Sequence, residues 1–190
     1  MKHATMLLLA VGLSLFSSTA IAQVAVGLKG GVNIGSLSGF EGNSRVSGHA
    51  GIFLHYTVNS SWCFQPELLY SGEGQRYLSN GEERTLALDY IQLPLMIQYY
   101  PTSQLYLEFG PQVGVLISAQ DKGDEVGHEN VKDDFSAAQI ALGVGLGFKV
   151  TNQVILYGRY NFGLTDVTTF DNIVDHSRVG QLGIAVRLKH

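Results

Sequence analysis

Residues 138–150 read Ala138-Gln139-Ile140-Ala141-Leu142-Gly143-Val144-Gly145-Leu146-Gly147-Phe148-Lys149-Val150. From Ile140 to Val150 every even position is aliphatic or aromatic, and from Gln139 to Lys149 every odd position is small or polar. Successive side chains of a strand point to opposite faces, so a period of two separates one hydrocarbon face from one small, polar face. A helix would scatter both sets around its circumference. The stretch therefore predicts a strand, and its glycines all lie on the polar face.

The same two-faced pattern recurs seven times after Ala22. Strands are predicted at about Val24–Ile34, Val46–Val58, Trp62–Ser71, Thr85–Tyr100, Leu105–Ser118, Ala138–Val150, Val154–Leu164 and Arg178–Leu188. The links between them alternate in length. Residues 59–61, 101–104 and 151–153 are short connections, whereas 35–45, 72–84, 119–134 and 165–177 are long and polar. Short turns at one rim and long loops at the other characterise transmembrane barrels. The pattern predicts an all-β fold: an eight-stranded, antiparallel, up-and-down transmembrane barrel. An even strand count puts both chain ends on the short-turn, periplasmic side and the long loops outside.

Chemistry assigns the faces. The polar face carries Lys29, Glu67, Glu108, Lys149, Arg159 and Arg187, together with Gln65, Gln92, Gln112, Gln139 and Gln181. Gly27, Gly31, Gly143, Gly145 and Gly147 share it. Glycine weakens an exposed strand, but it suits a crowded lumen, where it leaves room for a neighbour's Tyr106, Tyr157 or Arg159. On the apolar face, Tyr56, Trp62, Phe64, Tyr99 and Phe148 fall toward the short turns, and Tyr70, Tyr160 and Phe162 toward the opposite rim. Two aromatic girdles around an aliphatic band are expected of a barrel in a bilayer. A soluble, lipocalin-like binding barrel would reverse the faces. Pro66, Pro94 and Pro111 fall inside predicted strands; each lacks a donor, so bulges or breaks in pairing are expected there.

Composition agrees with this class. Of 190 residues, 45% are apolar, 15% are charged and 23 are glycine, with a net charge of -4. The charged share is below the roughly 25% of soluble domains, and no basic patch points to nucleic acid. Residues 1–22 look like an export signal: Lys2 and His3, an apolar core Met6–Phe16, then Ala20-Ile21-Ala22 as an A-x-A cleavage site. Residues 23–190 are then one barrel domain. Cys63, the only cysteine, permits no internal disulfide and sits in a strand pattern as a buried thiol.

Several motifs occur in a fixed order: Gly27-Leu28-Lys29-Gly30-Gly31-Val32-Asn33, Gln65-Pro66-Glu67-Leu68-Leu69-Tyr70-Ser71-Gly72, Tyr90-Ile91-Gln92-Leu93-Pro94-Leu95, Gly110-Pro111-Gln112 and Arg159-Tyr160-Asn161-Phe162-Gly163-Leu164. Together they resemble the PorT-like outer-membrane β-barrel domain family of the Bacteroidota across essentially the whole mature chain. The resemblance implies an eight-stranded barrel with prolines in mid-strand, and its namesake is linked to protein export. The chain departs from such barrels at its end, Leu188-Lys189-His190, where an aromatic usually marks the last strand for assembly.

Eight strands enclose a space that side chains just fill. The inward charges are therefore expected to pair as a structural plug, with Glu67 and Arg159 at its heart and Gln112 among its polar members. An ion-conducting or substrate-binding lumen is the competing possibility. Function then moves to the long loops, as surface binding, adhesion or a structural role. The third loop is acidic (Asp121, Asp124, Glu125, Glu129, Asp133, Asp134) but lacks an EF-hand pattern. An accessory role in secretion is the alternative. A lipid-modifying enzyme would need a Ser-His-acid set, for which His176-Ser177 with Asp175 or Asp171 is the one local cluster. Neighbouring strand residues point apart, so no enzyme is expected. No cofactor or metal is expected either; the partners foreseen are outer-membrane lipid and the barrel assembly machinery, for a monomer.

Overall fold

The computed structural model describes residues 24–37, 42–79, 81–123, 127–132, 135–165 and 176–188. The expected export signal, residues 1–22, and His190 lie outside these residues. Nine strands are present among the described residues: β1 (Val24–Leu37), β2 (Asn43–Thr57), β3 (Trp62–Ser79), β4 (Glu82–Tyr99), β5 (Leu105–Gly123), β6 (Gly127–Asn130), β7 (Ala138–Lys149), β8 (Val154–Gly163) and β9 (Ser177–Arg187). Eight of them form a closed antiparallel ring, each paired with its neighbours in the chain, with β1 against β9 completing the circle. The short β6 pairs only with the far end of β5 and stands outside the ring.

The three short turns are built alike. The Asn59 side-chain oxygen accepts from the backbone N–H groups of Ser61 and Trp62 at 2.9 and 3.0 Å. Thr102 Oγ1 accepts from Gln104 and Leu105 at 3.4 and 3.0 Å, and Thr151 Oγ1 from Gln153 and Val154 at 3.2 and 2.9 Å. Short polar side chains of this kind satisfy turn amides that no ladder reaches.

The opposite rim differs from the expectation of four long loops. The segment 72–84 is not a loop: β3 and β4 continue side by side to the pairing of Ser79 with Glu82. Likewise residues 119–123 extend β5, β2 starts at Asn43, and β9 starts at Ser177. The β3, β4 and β5 strands reach 18, 18 and 19 residues, well beyond the about 9–11 tilted residues that cross a bilayer. Their outward faces are apolar from Trp62 to Tyr70, from Ile91 to Tyr99 and from Leu105 to Ile117, so the remainder projects past the apolar band as a hairpin.

The prolines interrupt pairing without shifting register. Pro66 stays opposite Leu95 of β4, but the β2–β3 ladder skips Gln65 and Pro66. Pro94 stays opposite Gln112 and loses its β3 neighbour, while Pro111 stays opposite Leu142 and loses its β4 neighbour. An antiparallel residue turns its N–H and C=O toward one neighbour only, so a proline breaks one ladder and spares the other. True register shifts occur elsewhere, between Ser44 and His49 and between Asp89 and Tyr90. The first lies opposite Gly74, whose φ of 116° suits glycine alone. The second reverses the inward parity of β5 beyond Leu116.

Lumen glycines lie against large side chains or strand backbone. A Cβ on Gly27 would stand 2.1 Å from the Phe53 ring, one on Gly147 2.2 Å from Tyr106, and one on Gly31 2.0 Å from the carbonyl oxygen of Leu182. On the outer face, a Cβ on Gly180 would meet nothing closer than 3.8 Å. We expect Gly31→Ala to destabilise the barrel by about 1–3 kcal/mol through forced backbone displacement, and Gly180→Ala to stay within about 0.5 kcal/mol. Urea midpoints of the refolded proteins in detergent micelles check both.

Candidate functional site

The inward side chains of the ring stack in layers. Toward the short-turn rim lies an aromatic layer of Phe53, Cys63, Tyr100, Tyr106, Ile155, Tyr157 and Ala185, all buried. Toward the opposite rim lies an apolar layer of Leu37, Leu86, Leu88, Tyr90, Leu116 and Ala119, against which Tyr77, Val131 and Phe135 pack. Between them the lumen is polar and ionic.

The ionic layer consists of Lys29 on β1, Glu67 on β3, Glu108 on β5 and Arg159 on β8. Glu67, 2% exposed, accepts a fork from Arg159 Nη1 and Nη2 at 2.9 and 2.8 Å and further bonds from Lys29 Nζ at 3.0 and 3.1 Å. Gln65 Nε2 adds a bond at 2.8 Å. Arg159 Nε donates to Glu108 Oε1 at 2.7 Å, and Gln98 Nε2 donates to Glu108 Oε2 at 3.0 Å. Two cations thus face two carboxylates with no net charge, and the carboxylates are hydrogen-bonded as well. That is the condition under which buried ions become tolerable, since desolvation otherwise outweighs their attraction. Lys29 Nζ also lies 4.0 Å above the Tyr157 ring centre.

Lys149 and Arg187 point inward but belong to the rim rather than to this quartet. Lys149 Nζ lies 4.1 Å over the Tyr100 ring. Arg187 Nη2 donates to Tyr100 Oη at 3.2 Å and approaches His55 Nε2 at 3.1 Å. Tyr100 Oη in turn donates to Gln98 Oε1 at 3.0 Å, which links the rim to Glu108 through neutral groups. Gln112 is buried and shares no hydrogen bond with the quartet among the described residues, its Oε1 being unpartnered. On the outer face Trp62, Phe64, Tyr70, Tyr99, Phe148, Tyr160 and Phe162 are exposed and Tyr56 is half-buried. Trp62 packs on Tyr99 with centroids 4.8 Å apart, and Tyr160 on Phe162 at 4.6 Å.

The polar layer also contains residues from segments expected to be loops. Glu73, placed in a loop, is a buried β3 residue. It accepts from Gln92 Nε2 at 2.6 Å, Gln139 Nε2 at 3.3 Å and Ser177 Oγ at 2.6 Å. The signal is in the parity: Glu73 and Gln75 continue the odd-numbered alternation of Glu67, and only their polarity resembles that of a loop. Asn33 bonds Ser71 Oγ at 2.9 Å and His49 Nδ1 at 2.6 Å, and His49 also reaches Tyr157 Oη. Asp121, expected in the acidic third loop, lies on β5 and faces inward, paired with Arg84 at 2.9 Å and with Tyr77 Oη at 2.5 Å. Its orientation follows from the extra residue in β5 and could not be read from alternation.

Ser177 is likewise a lumen residue whose proton goes to Glu73, while His176 Nδ1 lies 3.4 Å from the Thr165 carbonyl oxygen. Asp171 and Asp175 are outside the described residues. Among the described residues no group of three or more His, Cys, Asp or Glu side chains is placed to hold a metal.

A closed ring with a girdled apolar exterior and a polar, ion-paired interior defines an outer-membrane β-barrel. The chain belongs to the outer membrane protein beta-barrel domain family, whose model matches residues 16–169, and it resides in the outer membrane. Among solved structures, it is similar to Ail, the attachment invasion locus protein of Yersinia pestis. The two are 12% identical, cover 87% of this chain and 98% of that one, and superpose with a TM-score of 0.53. Neisserial surface protein A is 19% identical over 87% of this chain and 97% of that one, with a TM-score of 0.52. At these identities the likeness concerns the fold alone. No curated protein sequence matches the chain.

The quartet makes a sharp expectation. Glu67→Gln leaves two buried cations facing one carboxylate and should cost about 3–5 kcal/mol, as breaking a buried pair does. Adding Lys29→Met restores neutrality with Arg159 still on Glu108, so the double variant should recover a substantial part of that loss. Urea unfolding of the two variants in detergent micelles measures the difference.

Proposed function

We propose that this barrel conducts nothing and works from its extended rim, as a surface-binding or structural component of the outer membrane. One observation carries the reading: buried layers cross the lumen in succession, an aromatic layer at the short turns, a neutral ionic quartet behind it, and an apolar layer at the far rim. A solute would have to displace both apolar layers and separate buried ion pairs. Among the described residues, accessible chemistry lies on the β3–β4 hairpin, where Leu78 is 71% exposed beyond the apolar band. A hairpin that projects beyond the bilayer is where a partner can reach the chain. The extended rim then faces outward and the chain ends face the periplasm, as expected of a chain exported by a cleaved signal and inserted by the barrel assembly machinery. Ail, a barrel of the same fold, is by name an attachment and invasion protein.

A role beside a secretion system is the second reading, supported by the order of the PorT-like motifs. Two measurements separate the alternatives. Purified protein in planar bilayers should give no discrete current steps; regular ion-conducting openings would overturn the sealed-lumen reading. Photo-crosslinking from Leu78 and Glu83 in intact cells should capture surface or extracellular partners, and capture of secretion components would favour the accessory role.

A further inference from the structure

Glu73 stands apart from the other buried acids. Glu67 and Glu108 share Arg159, Glu67 also holds Lys29, and Asp121 holds Arg84. Glu73 is as deeply buried, yet no cationic side chain pairs with it among the described residues. The guanidinium of Arg45 is spent on the Glu73 backbone carbonyl. The partners of its carboxylate are two glutamine amides and a serine hydroxyl, all neutral. A buried charge without a counter-charge is disfavoured strongly enough that something must neutralise it.

The surroundings point to the neutralising species. The two amides that hold Glu73 have their own oxygens buried and unpartnered: Gln92 Oε1 and Gln139 Oε1, with Tyr90 Oη as a third. Gln92 and Gln139 flank Gly114 across the β4–β5 and β5–β7 ladders. A Cβ on Gly114 would stand 3.5 Å from Gln139 Oε1, from Gln92 Cγ and from Tyr90 Cδ1, so the three side chains converge over the space that glycine leaves open. A half-turn of each glutamine about its last bond exchanges nitrogen for oxygen at the carboxylate. The Glu73 carboxylate, two amide oxygens and the Ser177 hydroxyl then form an all-oxygen set, the donor type preferred by hard cations. One carboxylate balances one charge; a divalent ion would leave an unbalanced positive charge in the lumen.

We infer that the lumen holds a site for a monovalent alkali cation, built on Glu73, Gln92, Gln139 and Ser177, with Gly114 leaving the room in which the two amides turn. The site is closed off from the rim by the apolar layer and from the short turns by the ionic quartet. An ion bound only in the folded barrel stabilises it by mass action.

The test is refolding of the full chain from urea into detergent micelles, at constant ionic strength and pH, in sodium, potassium or N-methylglucamine chloride. Thermal unfolding should be higher by about 2–4 °C in sodium or potassium than in the bulky organic cation, which cannot enter the site. Glu73→Gln should abolish the difference while raising the midpoint in N-methylglucamine. Gln139→Met, which keeps the carboxylate and removes one oxygen, should diminish it. Equal midpoints in all three salts for the wild-type chain would overturn the site. So would a salt difference that survives Glu73→Gln, or one undiminished in Gln139→Met if Glu73→Gln does not refold. Stabilisation of the wild-type chain by acid alone, with no preference among the salts, would show a proton in place of the ion and overturn it as well.

Discussion

The pairing of β1 with β9, from Gly27 opposite Arg187 to Leu37 opposite Ser177, is the constraint on which the rest depends. In hydrocarbon no water can satisfy a free N–H or C=O, so a sheet survives there only if its first and last strands meet. Closure imposes the even ring and places both ends of the described chain at one rim. It also explains how three prolines are tolerated in the ring. Each of Pro66, Pro94 and Pro111 breaks the ladder on one side only, and the register resumes beyond it.

Closing eight strands leaves an interior that is narrow and must be filled. Small and large side chains share it: Phe53 over Gly27, Tyr106 over Gly147, and Tyr157 close to Gly183. Charges share it on stricter terms. Arg159 bridges Glu67 and Glu108, and Lys29 completes a neutral set, so each ion is compensated by groups from other strands. The quartet thereby ties β1, β3, β5 and β8 together across the lumen. The apolar layers at either end keep water away from it, which strengthens the ion pairs while making any unpaired charge more expensive.

How much of this was legible depended on the range of the forces involved. The outward belt, from Trp62 and Phe64 to Tyr160 and Phe162, was readable because lipid contact imposes period two on every strand. Lys29, Glu67, Glu108 and Arg159 were readable as inward on the same parity. The extended rim was misjudged, because polar residues such as Glu73, Gln75 and Asp121 look the same in a solvated loop and in a polar lumen. For Glu73 and Gln75 the parity was intact and could have been followed. For Asp121 it was not, since the register shift between Asp89 and Tyr90 turns the end of β5 over.

The amino-acid sequence by itself determined that this chain makes a transmembrane barrel, and which residues face lipid. Both follow from alternation, a local property that each strand expresses alone. Only the tertiary structure decided which charges share a counter-ion, that Lys149 and Arg187 stand apart at the rim, that β3, β4 and β5 outrun the membrane, and that Glu73 is buried without a cation. Those outcomes depend on which strands lie opposite one another across the lumen and in what register, and such distances come into being only when the ring closes.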